Sequence, residues 1–84
     1  MLTGKKVLVI GLARSGKAAV KLLQKLNATI TINEGKELEK IEGYQAYLDA
    51  GIEIVAGGHP DELFERDFDF VVKNPGINYH KPFI

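Results

Sequence analysis

Val7-Leu8-Val9-Ile10-Gly11-Leu12-Ala13-Arg14-Ser15-Gly16 decides the fold: a β-branched apolar run passes through a glycine-bounded turn into a helix-forming stretch. Lys6 to Ile10 reads as a buried strand, and Ser15 to Leu26 as a helix with Ala19, Leu23 and Leu26 on one face. This is the opening β-α step of a doubly wound fold.

The rest of the chain continues the alternation. Asn27 suits a helix C-terminus, and Thr29-Ile30-Thr31-Ile32-Asn33 alternates as a second strand, stopped by Glu34-Gly35. A second helix is expected from about Leu38 to Ala50, with Ile41, Tyr44 and Leu48 on its inner face and Gly51 at its end. Ile52 to Ala56 is the third strand. Pro60 suits the first position of a short helix running to about Glu65. Phe68 to Lys73 is the fourth strand, with Phe64, Phe68 and Phe70 expected to pack it; Tyr44 and Tyr47 read as core or helix-flank residues. The expected architecture is therefore α/β: a Rossmann-like, doubly wound parallel sheet with four strands and right-handed crossovers. The chain stops after the fourth strand without a helix to cover it, so residues 1–84 are expected to be one N-terminal domain cut from a longer, multidomain protein.

Composition narrows the function classes. The 84 residues are 45% hydrophobic, enough for one small core and not for two. No cysteine is present, and His59 and His80 have no ligand-like spacing, so no metal site is expected. No apolar run approaches the ~20 residues that span a bilayer, and the start lacks a signal-peptide core; the expectation is a soluble cytoplasmic protein without a membrane partner. Net charge is zero, but Lys5, Lys6, Arg14, Lys17, Lys21 and Lys25 precede all 11 acids, which begin at Glu34. That gradient favours an anionic ligand near the first loop, although Lys17, Lys21 and Lys25, four apart, are also what a solvated helix face looks like. A nucleic-acid partner is not indicated, because the chain is not distinctly basic. His59 and His80 read as surface loop residues.

Two loops carry the chemistry. In the first, Gly11 permits a tight turn, Ala13 is small enough for close backbone approach, and Gly16 lets the helix pack near the strand. The helix N-terminus then offers N–H groups and partial positive charge to a phosphate. Against Gly-x-Gly-x-x-Gly, Ala13 replaces the middle glycine, which disfavours a tightly bound NAD; against the Walker pattern, Ala18 stands where Ser or Thr must hold magnesium. ATP hydrolysis is not encoded here. Taken alone, the loop equally fits an ordinary strand-to-helix turn. In the second, Pro75 fixes φ and biases Asn74 to an extended shape while Gly76 permits close approach, giving a rigid open turn beyond the fourth strand. Glu34, an acceptor only, follows the second strand and would select ligand donors such as ribose hydroxyls or a uracil N3–H, with the Gly35 N–H and the Lys36 side chain beside it. An ordinary polar turn would look similar.

The residues Gly11-Leu12-Ala13-Arg14-Ser15-Gly16, Asn33-Glu34-Gly35-Lys36, Gly58-His59-Pro60 and Val71-Val72-Lys73-Asn74-Pro75-Gly76-Ile77 together resemble the N-terminal domain of the D-glutamate-adding Mur ligases, the UDP-N-acetylmuramoyl-L-alanine:D-glutamate ligase family. The Asn-Pro-Gly-Ile segment discriminates best, since the alanine-adding relatives usually carry a Ser-Ser-Ala-Ile type segment there.

The resemblance implies a monomeric, cytoplasmic, three-domain enzyme of peptidoglycan synthesis, hence of cell wall biogenesis, cell shape, cell division and the cell cycle. Its first domain would hold the UDP part of UDP-N-acetylmuramoyl-L-alanine, while ATP and magnesium bind a central domain and D-glutamate a last one. The first domain would bind no cofactor and contain no catalytic residue, so alone it would be inactive. Arg14 and Ser15 fall where the family's first loop flanks uracil, Glu34, Gly35 and Lys36 on its uracil-binding turn, and Asn74, Pro75 and Gly76 beside the ribose and diphosphate. The better-known form has Asp, Thr and Arg at the positions of Glu34, Gly35 and Lys36, and Lys36 lacks the planar guanidinium that stacks on a base. A different reading, an NAD-type regulatory or dehydrogenase domain, rests on the generic fold and the acid after the second strand; Ala13 and the Asn-Pro-Gly-Ile segment oppose it.

Overall fold

In a computed structural model of the chain, described for residues 2–12, 14–73 and 76–77, the apolar run becomes the central strand β1 (Lys6–Ile10). Val7, Leu8 and Val9 are all fully buried, as a strand covered on both faces requires. Helix α1 (Arg14–Lys25) follows, then β2 (Thr29–Glu34), α2 (Tyr44–Asp49), β3 (Glu53–Ala56), α3 (Asp61–Phe64), β4 (Phe70–Lys73) and a two-residue β5 (Gly76–Ile77). The sheet order is β3-β2-β1-β4-β5, and the first four strands are mutually parallel, as expected. The fifth was not anticipated: Gly76 and Ile77, read as loop, run back antiparallel along β4, pairing with Lys73 and Val72.

Strand alternation sorts the sheet into two faces. Val7 and Val9 of β1 with Ile30 and Ile32 of β2 join Leu12, Val20, Leu23, Ile41 and Ile52 in the main core, under α1 and α2. The exposed Lys17, Lys21 and Lys25 form the outer face of α1, as expected. The opposite face carries Leu8, Thr31, Asn33 and Glu53; near it α3 buries Leu63, and Arg66 grips Glu53 with two N–H···O bonds of 2.8 and 3.0 Å.

Local endings follow the side chains. Helix α1 closes in a Schellman motif: Ala28 N–H donates to Leu23 O and Asn27 N–H to Gln24 O, with Asn27 in the left-handed region at φ 64°. Helix α2 ends the same way, Ile52 N–H to Tyr47 O and Gly51 N–H to Leu48 O, which seats Ile52 in the core.

Several expectations are corrected. The single helix from Leu38 to Ala50 is instead a 3-10 turn (Leu38–Lys40) and the shorter α2, because Gly43 at φ 79°, ψ 14° breaks the helix and starts it afresh at Tyr44. The new start turns Tyr47 inward beside Tyr44 and leaves Leu48 39% exposed. Helix α1 begins one residue early, at Arg14. Pro60 is the N-cap of α3, at ψ 138°, and not its first helical residue. Strand β4 starts at Phe70, and neither Phe70 nor Phe64 packs it closely: they are 50% and 40% exposed. Phe68 lies under the Arg66 guanidinium, 5.2 Å from Cζ to ring centre. Among the described residues, no helix is long and apolar enough to cross a membrane.

Candidate functional site

The order β3-β2-β1-β4 reverses direction at β1, so the crevice beyond the carboxyl ends of β1 and β4 is the topological switch point, where open α/β sheets bind ligands. Register aligns the rim: Ile10 pairs with Asn33 on one side and Lys73 on the other, and Glu34 pairs with Ala56. The segments following β1, β2 and β3 therefore leave the sheet side by side.

The first loop is shaped by two glycines. Gly11 leaves β1 at φ 87°, a conformation that L side chains rarely adopt, and its N–H donates to Asn33 O at 2.8 Å. A Cβ on Gly16 would stand 2.2 Å from Gly11 O, so a side chain there is excluded and the first turn of α1 rests directly on the strand end. This agrees with the role read for Gly16. Arg14 and Ser15 supply backbone to that first turn. Ala13, Asn74, Pro75 and His80 lie outside the described residues, and of Gly76 the described feature is its pairing in β5.

Glu34 ends β2 and reaches across the rim. Its Oε1 accepts the Leu12 N–H at 2.8 Å, and its Oε2 accepts the Lys36 N–H at 3.1 Å. The carboxylate thus ties the first loop to its own turn, a strut the sequence did not disclose. A carboxylate has about four lone-pair sites, so acceptor capacity remains for a ligand. Partial burial works against its charge, but the backbone N–H groups of Lys36, Leu12 and Gly35 and the Lys36 ammonium outweigh it and hold Glu34 below the ordinary carboxylate range. Gly35 and Lys36 are both exposed on the rim. The Gly57 N–H clasps the turn from β3, donating to Glu34 O at 3.0 Å and Lys36 O at 2.8 Å.

Asn33 is the rim residue that sequence reasoning undervalued. Fully buried, it donates from Nδ2 to Val55 O at 3.0 Å and Gly58 O at 2.8 Å, while Oδ1 meets His59 Nδ1. The available signal was its place in the alternation with Thr29 and Thr31, which puts it on a sheet face. His59 is an exposed loop residue, as expected, yet it is tied to this buried amide.

At the other end of the strands, Lys6, Thr31, Glu53, Arg66 and Phe68 line a cleft of about 310 Å³. Two of its charges are paired with each other: Arg66 is the main reason the Glu53 carboxyl sits below its ordinary range, against the opposing effect of burial and with a bond from Thr31 Oγ1 assisting.

Two carboxylates with lowered values fix the sign of the pH response. A depressed folded-state value adds stability that is complete above the unfolded value, about 4.3, and is lost as pH falls through the lower folded value. Urea midpoints are expected to hold steady from neutrality down to about pH 5 and then fall with further acid. In the Glu34→Gln, Glu53→Gln double variant the fall is expected to be shallower; an unchanged acid limb would refute the assignment.

No protein-family model matches the chain. Over 83 residues, 99% of the chain, it is 52% identical to the UDP-N-acetylmuramoylalanine--D-glutamate ligase of Streptococcus thermophilus strain ATCC BAA-491 / LMD-9. Over 80 residues, 95% of the chain, it is 49% identical to the ligase of the same name from Streptococcus pyogenes. The chain spans 18% of the length of each of these relatives, and the match falls on their N-terminal part.

Proposed function

We propose that this chain, homologous along nearly all its length to the N-terminal part of UDP-N-acetylmuramoylalanine--D-glutamate ligases, binds the UDP moiety of UDP-N-acetylmuramoyl-L-alanine. The observation that carries the reading is the rim: Gly11 and Gly16 bring the start of α1 against the end of β1, and Glu34 is bonded to that same loop at the switch point. Such a loop presents N–H groups to phosphate, and the turn beside it presents a carboxylate to the donors of uridine. Arg14, Ser15, Glu34, Gly35, Lys36, Asn74, Pro75 and Gly76 are the proposed contacts.

In the whole ligase, ATP would phosphorylate the substrate carboxylate. The amine of D-glutamate would then attack the acyl phosphate, giving an amide, ADP and phosphate in peptidoglycan synthesis. ATP, magnesium and D-glutamate would be held by other domains of a cytoplasmic monomer, and this domain would anchor the substrate's nucleotide end.

The test is an amide NMR titration of the chain with UDP, and separately with NAD. Expected are UDP-dependent shifts at Leu12, Glu34, Gly35 and Lys36, and at least about tenfold weaker binding in Glu34→Ala, the scale of a lost hydrogen bond to a charged group. Stronger shifts with NAD, centred on Gly11 to Gly16, would replace this reading with a dinucleotide module. Unchanged affinity in Glu34→Ala would remove Glu34 from the site.

A further inference from the structure

We propose that His59 is a positioning residue of this site, acting through Asn33 to hold the Glu34-Gly35-Lys36 turn in place; its bearing on the ligand rests on the UDP reading above. Both amide hydrogens of Asn33 are engaged, one with Val55 O and one with Gly58 O, so the atom facing His59 is the amide oxygen, which can only accept. His59 Nδ1 therefore carries the proton. Both the neutral Nδ1–H tautomer and the imidazolium satisfy that bond, so the link does not depend on the charge of His59.

The other edge of the ring faces the turn. Nε2 lies 3.5 Å from where a Cβ on Gly35 would stand, so the imidazole backs the one residue of the turn that has no side chain. The Gly57 N–H, two residues upstream, grips Glu34 O and Lys36 O, and Asn33 O receives the Gly11 N–H. The segments after β1 and β3 thus meet at Asn33, the first through its backbone carbonyl and the second through its buried side-chain amide, and His59 is the side chain that completes the bonding of that amide. A solvent-exposed loop histidine with its inner nitrogen fixed and its outer edge against the turn is placed to set that turn's geometry, which a preorganised ligand site requires.

Two substitutions separate positioning from direct contact. Asparagine places an amide N–H at the position of Nδ1 and keeps the bond to Asn33; glutamine places its amide at the position of Nε2 and loses that bond. In the free, labelled chain, His59→Gln is expected to speed amide exchange at Lys36 and Gly57 about tenfold relative to Val9 and Ile32, and His59→Asn to stay near the wild type. With UDP as the probe, glutamine is expected to weaken binding about tenfold while asparagine restores it, the scale of one net hydrogen bond. Unchanged exchange in His59→Gln, or exchange raised uniformly through β1 and β2, overturns the proposal. So does the reverse binding pattern, glutamine restoring and asparagine losing affinity, which would make His59 a direct ligand contact. Should the wild type bind no UDP, the functional reading falls by itself, and the exchange comparison still decides whether His59 holds the turn.

Discussion

Gly16→Ala is expected to destabilise the chain by about 2–3 kcal/mol, read as a lower urea midpoint at unchanged slope. The added methyl would meet Gly11 O at 2.2 Å and the Gly11 carbonyl carbon at 3.2 Å, with Val9 Cγ1 behind them at 3.9 Å. The obstructing atom is backbone, so no rotamer change relieves the contact. Nor can Gly11 swing aside freely, since its φ of 87° and its bond to Asn33 O fix the strand exit. Helix α1 must then slide outward, drawing Val20 and Leu23 from the core. Alanine's better helix propensity returns up to about 1 kcal/mol, which is why the net figure is below the worst overpacking values. Gly35→Ala is the control: its Cβ would sit at an ordinary 3.5 Å from His59 Nε2, and a change under about 0.5 kcal/mol is expected. Equal effects at the two glycines would refute the steric account.

The contrast between these two glycines also marks what the sequence could and could not disclose. Gly16 was legible because its role is local: a helix starting four residues after a strand's end must approach that strand, and the spacing shows it. The strands were legible for the same kind of reason, Val7 to Ile10 by an unbroken apolar run and Thr29 to Asn33 by alternation. The single long helix was misread because Ile41, Tyr44 and Leu48 keep helical spacing straight across Gly43, and only the left-handed conformation there reveals the break. Leu63 was missed because a four-residue helix has too few turns to show periodicity. The rim contacts were hidden for a different reason. Leu12 and Glu34 are 22 residues apart, Asn33 and His59 are 26 apart, and no local pattern encodes which backbone group a buried polar side chain will meet.

Asn33→Asp isolates that hidden part, and it is expected to destabilise by about 3 kcal/mol at neutral pH. Aspartate keeps the shape of the side chain and an oxygen toward His59, so the bond to the imidazole survives. It removes both N–H donors, leaving Val55 O and Gly58 O facing a carboxylate oxygen in a site with no solvent exposure. His59→Ala is the complementary change: it removes only the bond at Oδ1, next to an exposed loop where water can replace it, and about 1 kcal/mol is expected. If the ranking holds, the donors to β3 and its loop carry most of the stability, and the histidine contributes chiefly to where the turn sits. Urea unfolding of the two variants decides it. An Asn33→Asp chain within about 0.5 kcal/mol of the parent would mean that the carbonyls find other donors, and that the three loops are joined by their backbone bonds alone.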